Sequence, residues 1–148
     1  LVEHHARQAR ARADDRWADL LLAQGIEAFV AQWYQLELFG SLRRRPRLLA
    51  ATVAARQQND TRWIARVIRE LSPGRQPALW SGLETLKLPT LLLAGALDAK
   101  YTRLTQTMSA RIAGATLEIV PRAGHNIHQE RPARFANLLL NFLATVSD

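Results

Sequence analysis

The first 86 residues carry apolar side chains at intervals of three and four positions, a spacing that predicts amphipathic helices. One helix is predicted from about Glu3 to Gln24 and a second after Gly25, which suits the C-terminal cap of the first. Pro46 fits the first turn of a third helix, and Asp60 offers a capping oxygen to a fourth. A short helix is predicted for 77–86, where the pattern changes.

Residues 87–148 alternate between predicted strands and helices. Thr90–Gly95 is a mostly apolar run without alternation, which is typical of a parallel strand covered on both faces. A helix at 102–112 and a strand at Ala115–Val120 complete a β-α-β unit, and a last helix begins at Pro132. The predicted fold class is therefore α/β. Because two strands make a poor core, we expect further strands from another segment.

Composition narrows the class of protein. The chain has 148 residues, of which 48% are hydrophobic, as expected of a folded domain rather than a disordered one. It contains no cysteine, so disulfides and cysteine-ligated zinc are excluded. No apolar stretch approaches the ~18 residues of a membrane span, and the first residues lack the apolar segment of a signal peptide. We therefore expect no membrane insertion and a cytoplasmic location.

The net charge of +7 comes from arginine, since Lys87 and Lys100 are the only lysines. Arginines cluster in Arg7–Arg16 and in Arg43–Arg47. A basic surface can bind nucleic acid, but the interleaved aromatic residues of a nucleic-acid module are absent from both clusters. Solvated helix faces explain the charge better, and no nucleic-acid partner is expected.

Two ionisable residues follow the two predicted strands. Asp98 comes after the first strand and His125 after the second. The C-terminal ends of adjacent parallel strands meet at one edge of a sheet, where functional groups of α/β proteins collect. A carboxylate in that position can hold an imidazole in one tautomer and stabilise its protonated form. Taken singly, each residue fits a turn or a structural role as well, so the catalytic hypothesis depends on the pair.

These two loops resemble those of the α/β-hydrolases, in which nucleophile, acid and histidine follow in that order along the chain. The nucleophile of that family lies in a G-x-S-x-G turn, and no serine here has those flanking glycines. The resemblance implies that Asp98 and His125 are the last two members of a triad. Their serine would belong to a missing N-terminal segment, which makes a non-catalytic fragment the alternative.

Further segments that match a known family are distributed over nearly the whole chain: Ala31–Gln35, Leu38–Leu42, Arg56–Asn59, Gln76–Trp80, Asp98–Tyr101 and Pro121–Pro132. The histidine segment alone would indicate only an α/β-hydrolase, whereas the other segments are more particular. Together they resemble the SHCHC synthases (2-succinyl-6-hydroxy-2,4-cyclohexadiene-1-carboxylate synthases, MenH-type) of menaquinone and phylloquinone biosynthesis.

This resemblance implies a helical cap at 1–86 and the C-terminal βαβα part of the α/β-hydrolase core at 87–148. It implies a lyase that eliminates pyruvate from the precursor SEPHCHC without a cofactor or a metal, using its triad for proton abstraction. The substrate carries several carboxylates, and Arg10 and Arg56 match arginines that hold them. Trp33 matches a wall of the substrate pocket. The alternatives within enzymes are an esterase or a C–C hydrolase.

The three substrate-binding candidates also have ordinary structural explanations. Arg56 extends the apolar stripe of Leu49 and Val53, so its guanidinium is expected on the inner side of the helical region, where it needs an anionic partner. That partner is either a substrate or an acid of the chain, such as Glu27, Asp60 or Glu70. Arg10 fits a solvated helix position, and Trp33 fits a core position.

Overall fold

A computed structural model describes residues 3–146. The chain divides into two compact units, which are treated separately below. The helical unit comprises the residues up to Leu36 together with Leu49–Trp80, and the α/β unit comprises Glu37–Leu48 together with the residues from Ser81 onward. The division predicted at residue 86 stays a prediction, and these units differ from it mainly in giving Glu37–Leu48 to the α/β unit.

The helical unit begins with one long helix that has a break inside it. Helix α1 spans His4–Trp33, and Gly25 within it has φ 82° and ψ 174°. The interruption predicted at Gly25 is therefore present, because only glycine adopts this conformation without strain from a Cβ atom. Helical structure resumes directly after it.

Two further helices of this region follow the predicted boundaries closely. Helix α3 spans Pro46–Gln57, beginning at the proline, and helix α4 spans Thr61–Glu70. The side chain of Asp60 accepts a hydrogen bond of 2.7 Å from the backbone N–H of Trp63, so the predicted N-terminal cap is confirmed. Between α1 and α3, helix α2 spans Gly40–Arg43 and was not predicted.

Ion pairs connect α1 with α4 and with the turn after it. Arg75 contacts Asp15 at 2.8 Å, and Arg69 contacts Asp19 at 2.5 Å. Hydrogen bonds from Arg75 hold the pKa of the Asp15 carboxyl below its ordinary value. Because its pKa is lower in the folded chain than in the unfolded chain, Asp15 stabilises the fold at neutral pH. That contribution is lost as the pH falls through the folded-state value.

The α/β unit confirms the predicted β-α-β arrangement. Strand β1 (Leu91–Gly95) pairs in parallel with β2 (Thr116–Val120), and helix α5 (Ala99–Ser109) connects them. Helix α6 (Ile127–Glu130) and helix α7 (Pro132–Val146) follow β2. Helix α5 begins three residues before its predicted start at 102, because Asp98 caps it.

The short helix predicted at 77–86 is present as a 3₁₀ helix at Trp80–Thr85, and 77–79 are not helical. Pro77 precedes this helix and Gly82 lies within it. Proline lacks a backbone donor and glycine lowers helix propensity, so a longer α-helix gains little here.

The core of the α/β unit is small and lies on one side of the sheet. It consists of Val120, Ala123, Ile127 and Leu138, with Leu93 and Phe135 packed against it. Leu91 and Leu92 of β1 are only half-buried, so the expected covering of both strand faces is incomplete within 3–146. The reason is that each strand of the described sheet has a single neighbour. Leu140 and Leu143 of α7 are also exposed.

Candidate active site

Asp98 is positioned by the turn that follows β1 and by the helix that begins after it. The Asp98 N–H donates to the carbonyl of Gly95 at 2.9 Å, which closes the turn. Its Oδ1 accepts from the N–H of Tyr101 at 3.1 Å, so the same side chain caps α5. The turn is tied to the second strand as well, since the Ala96 N–H donates to the carbonyl of Val120. These contacts leave Oδ2 available for another partner.

That partner is His125, which lies in the loop after β2. Nδ1 of His125 is 2.9 Å from Oδ2 of Asp98. The Asp98 side chain is 8% exposed and that of His125 is 31% exposed, so the carboxylate is shielded while the ring reaches solvent. The sequence predicted this contact from the order of strands and loops, and the geometry agrees. The catalytic role of the two residues stays a prediction.

The geometry assigns different roles to the two nitrogens of the imidazole. A carboxylate only accepts hydrogen bonds, so the neutral His125 ring carries its proton on Nδ1 and donates it to Asp98. Nε2 is then free to accept a proton, and among residues 3–146 it has no hydrogen-bond partner. The Tyr101 ring lies against the imidazole, with centroids 4.6 Å apart and a tilt of 58°. This arrangement is what a general base requires.

Gly95 lets the end of β1 and the loop after β2 approach each other closely, and Gly124 lets that loop pack against Ser41 of α2. A Cβ atom on Gly95 would collide with the carbonyl oxygens of Ala123 and Gly124. A Cβ atom on Gly124 would collide with the side chain of Ser41. The Leu97 N–H also donates to the carbonyl of Ala123 at 2.9 Å. The distance between Asp98 and His125 therefore depends on backbone contacts that larger residues would prevent.

Arg10, a predicted substrate-binding residue, lies on α1 in the helical unit. Its Nε donates to both carboxylate oxygens of Asp14, at 2.9 and 2.8 Å. Asp14 is buried and also accepts a hydrogen bond of 2.6 Å from the hydroxyl of Ser72. The Ser72 oxygen in turn accepts a hydrogen bond from the Gly74 N–H. The two Nη atoms of Arg10 make no hydrogen bond to any described residue. Nε of the Arg10 guanidinium is thus held by Asp14, whereas its two Nη atoms remain available for another partner.

Arg56, a second candidate, lies in the last turn of α3 and is exposed. The expectation that its guanidinium is buried on the inner side is therefore wrong. Thr52 is the buried position of this helix, and the long side chain of Arg56 reaches water beyond the half-buried Leu49 and Val53. No acid among residues 3–146 pairs with it.

Trp33, the third candidate, is the last residue of α1 and is half-buried. Its ring stacks on Phe29 with centroids 5.3 Å apart and meets Trp17 edge-on at 5.2 Å. The three rings form a cluster across the break at Gly25. This packing agrees with the core interpretation of Trp33, and a role in a substrate pocket stays a prediction.

Residues 3–146 contain neither a metal-binding cluster nor a membrane-spanning helix. No group of three or more histidine, cysteine or acidic side chains is arranged to hold a metal ion there. None of the helices in this part of the chain is both long and apolar enough to cross a membrane. Sequence reasoning placed Tyr101 in the loop after Asp98 but did not predict its contact with the histidine ring, nor the burial of Asp14 and Glu130.

Comparisons with known proteins agree with this geometry. A profile of the "Alpha/beta hydrolase family" matches residues 4–138. The 2-succinyl-6-hydroxy-2,4-cyclohexadiene-1-carboxylate synthase of Serratia proteamaculans is 36% identical over 143 residues, which are 97% of this chain and 53% of that protein. The chloroplastic protein PHYLLO of Arabidopsis thaliana is 33% identical over 149 residues, covering 95% of this chain and 9% of that one.

A solved structure, that of MenH from S. aureus, superimposes with a TM-score of 0.96 at 30% identity, covering all of this chain and 56% of the other. The chain thus spans about half the length of the Serratia and S. aureus relatives. The predicted fold class, part of an α/β-hydrolase fold, is confirmed. Within the chain's own length it is similar to MenH of S. aureus and to the Serratia SHCHC synthase. The chain belongs to the alpha/beta hydrolase family.

Proposed function

We propose that this chain is the C-terminal, acid- and histidine-bearing part of a SHCHC synthase, a lyase that eliminates pyruvate from SEPHCHC in menaquinone or phylloquinone biosynthesis. The observation that carries the proposal is the 2.9 Å contact between Asp98 and His125 in loops after adjacent parallel strands. The names of the relatives and their identity over nearly the whole chain support the choice of this reaction. The proposed location is the cytoplasm.

In the proposed reaction, the chain contributes a base and the group that orients it. Asp98 keeps the proton of the neutral imidazole on Nδ1, so that Nε2 takes up a proton. The triad serine, supplied by a preceding segment, would pass the substrate proton to His125. Asp98 then stabilises the imidazolium until its proton passes to the departing enolate, which leaves as pyruvate. No cofactor or metal takes part in this scheme.

The helical unit is proposed to supply binding groups for the substrate carboxylates. Arg10 suits this role because Asp14 fixes its inner nitrogen while both Nη atoms keep their hydrogen-bonding capacity. Arg56 suits it because its exposed guanidinium has no acidic partner in the described chain. An arginine fork binds a planar carboxylate through two parallel hydrogen bonds. Trp33 is proposed to contribute apolar contact from its exposed part.

The reaction type is tested with a chimera in which the N-terminal part of the Serratia relative precedes this chain, and we expect that part to supply the triad serine. We expect this chimera to release pyruvate from SEPHCHC and to hydrolyse p-nitrophenyl acetate far more slowly. Both products are measured photometrically under the same conditions, with His125→Ala as the inactive control. A folded chimera that hydrolyses esters but leaves SEPHCHC intact would identify an esterase and reject the lyase.

Replacing Arg56 by alanine in the same chimera is expected to raise KM for SEPHCHC about tenfold to a hundredfold. One charge-assisted hydrogen bond contributes on the order of 1.5–3 kcal/mol. Within residues 3–146 Arg56 has no ion pair whose loss would confuse the result. The matched control is Arg62→Ala, which removes another exposed arginine of the helical unit. Equal KM values for the two variants would show that Arg56 does not bind substrate.

A further inference from the structure

Glu130 is a buried carboxylate that the proposed reaction does not use. It lies at the end of α6, five residues after His125, and is 3% exposed. A carboxylate buried without hydrogen bonds is strongly unfavourable. Here both oxygens have donors, since Oε1 accepts from the Ser41 hydroxyl at 2.8 Å and Oε2 accepts from the Gly124 N–H at 3.2 Å. The acid is therefore stabilised by the segment that carries the histidine.

The contact with Gly124 controls the residue directly before His125. No side chain fits at Gly124, because a Cβ atom there would collide with Ser41 and lie 3.0 Å from Oε1 of Glu130. The Gly124 backbone is thus confined between the hydroxyl and the carboxylate. The Gly124 N–H belongs to the Ala123–Gly124 peptide, which only the backbone of Gly124 separates from the peptide that leads into His125. Holding this peptide in place therefore narrows the directions from which the imidazole can approach Asp98.

The same loop is closed by a second set of contacts from the segment Glu37–Leu48. Arg45 donates to the carbonyl of Glu130 at 2.6 Å and to the carbonyl of Arg122 at 3.2 Å. Arg131 donates to the same Arg122 carbonyl at 3.1 Å. Arg122 has φ 56°, a left-handed conformation that a non-glycine residue adopts only when its surroundings hold it. Hydrogen bonds therefore hold both ends of the loop from Arg122 to Glu130.

We propose that Glu130 is a positioning residue for His125, acting through the Gly124 N–H, with Ser41 holding the carboxylate in place. Asp98 selects the tautomer of the imidazole, and Glu130 fixes the Ala123–Gly124 peptide, one residue before the imidazole. Loss of Glu130 leaves Asp98 and His125 in the chain but widens the range of orientations of the ring. The catalytic consequence rests on the proposed function, whereas the effect on the ring itself does not.

The effect on the ring is measured on the 148-residue chain by ¹⁵N and ¹H NMR of the histidine side chains, at a pH where His125 is neutral. In the unaltered chain we expect His125 to be almost entirely the Nδ1–H tautomer, with a slowly exchanging ring proton. In Glu130→Ala we expect a mixture of tautomers and exchange at least about tenfold faster. The control Glu118→Ala removes a partly exposed acid of β2 that pairs with Arg134, and it is expected to leave the His125 signals unchanged.

A conservative variant distinguishes positioning from general loss of structure. Glu130→Gln keeps one oxygen for the Gly124 N–H, and its amide nitrogen can donate to Ser41, whose hydroxyl accepts as well as donates. We therefore expect Gln to restore most of the slow exchange that Ala removes. If Glu130→Ala does not fold, Ser41→Ala replaces it, with an expected exchange rate between those of the unaltered chain and the Ala variant. A folded Glu130→Ala or Ser41→Ala chain with unaltered tautomer and exchange would overturn the proposal.

In the chimera, Glu130→Ala is expected to lower kcat about tenfold to a hundredfold with little change in KM, since an ångström of misplacement costs about that much in rate. Disturbed His125 signals together with an unchanged kcat would support the positioning role of Glu130 but contradict the proposed catalytic role of His125. Undisturbed signals together with a lowered kcat would count against positioning instead. The two failures are therefore distinguishable.

Discussion

The purified 148-residue chain is expected to release no detectable pyruvate from SEPHCHC. Asp98 orients His125 and His125 accepts a proton, but none of the serines in the 148 residues lies in a G-x-S-x-G turn. Removal of the nucleophile from a catalytic triad lowers kcat by about 10⁶-fold, and loss of one oxyanion-hole donor lowers it by about a hundredfold to a thousandfold. In α/β-hydrolases one of those donors is the backbone N–H of the residue after the nucleophile, and another comes from a loop that precedes the nucleophile in the chain.

The measurement couples pyruvate release to lactate dehydrogenase, first with the chain alone and then with the Serratia chimera. We expect activity only in the second assay, and we expect alanine at the elbow serine of the chimera to abolish it. Circular dichroism of the chain alone shows whether inactivity accompanies a folded protein. Turnover by the chain alone that disappears with His125→Ala would show that another residue replaces the serine, and it would contradict the proposed division of the triad.

Features that depend on a single residue or its close neighbours in sequence were predicted correctly. Gly25 marks a break because its backbone conformation excludes other residues, and Asp60 marks a helix start because its carboxylate accepts from the Trp63 N–H. The contact between Asp98 and His125 was predictable for a similar reason. Two adjacent parallel strands leave little freedom in where their following loops lie, so the chain positions of the two residues nearly determine their proximity.

Other features depend on partners that are distant in sequence, and no local pattern reports them. Glu130 receives its hydrogen bond from Ser41, 89 residues earlier, and Asp14 receives one from Ser72, 58 residues later. A glutamate or aspartate in a helical segment predicts an exposed side chain, so both buried acids were overlooked. Arg56 shows the opposite error, because a stripe position suggested burial while the long side chain extends into solvent.

Replacing Asp98 by asparagine is expected to lower kcat of the chimera by about 10⁴-fold while preserving its fold. Oδ1 of Asp98 caps α5 by accepting from the Tyr101 N–H, and an asparagine oxygen does the same, so the helix keeps its cap. The amide nitrogen must then face His125. Because that nitrogen only donates, Nδ1 has to accept, and the imidazole proton moves to Nε2. A ring protonated on Nε2 cannot take a proton from the serine.

The matched control for this substitution is Asp60→Asn, which alters the N-terminal cap of α4 in the same way but has no histidine beside it. The two variants should have melting temperatures close to that of the unaltered chimera, because each asparagine still caps its helix. Only Asp98→Asn should lose activity, and the ¹⁵N spectrum should show its His125 as the Nε2–H tautomer. If kcat falls less than about tenfold while the tautomer does switch, proton transfer through His125 is not part of the rate-limiting chemistry. The carboxylate would then be important mainly as the cap of α5.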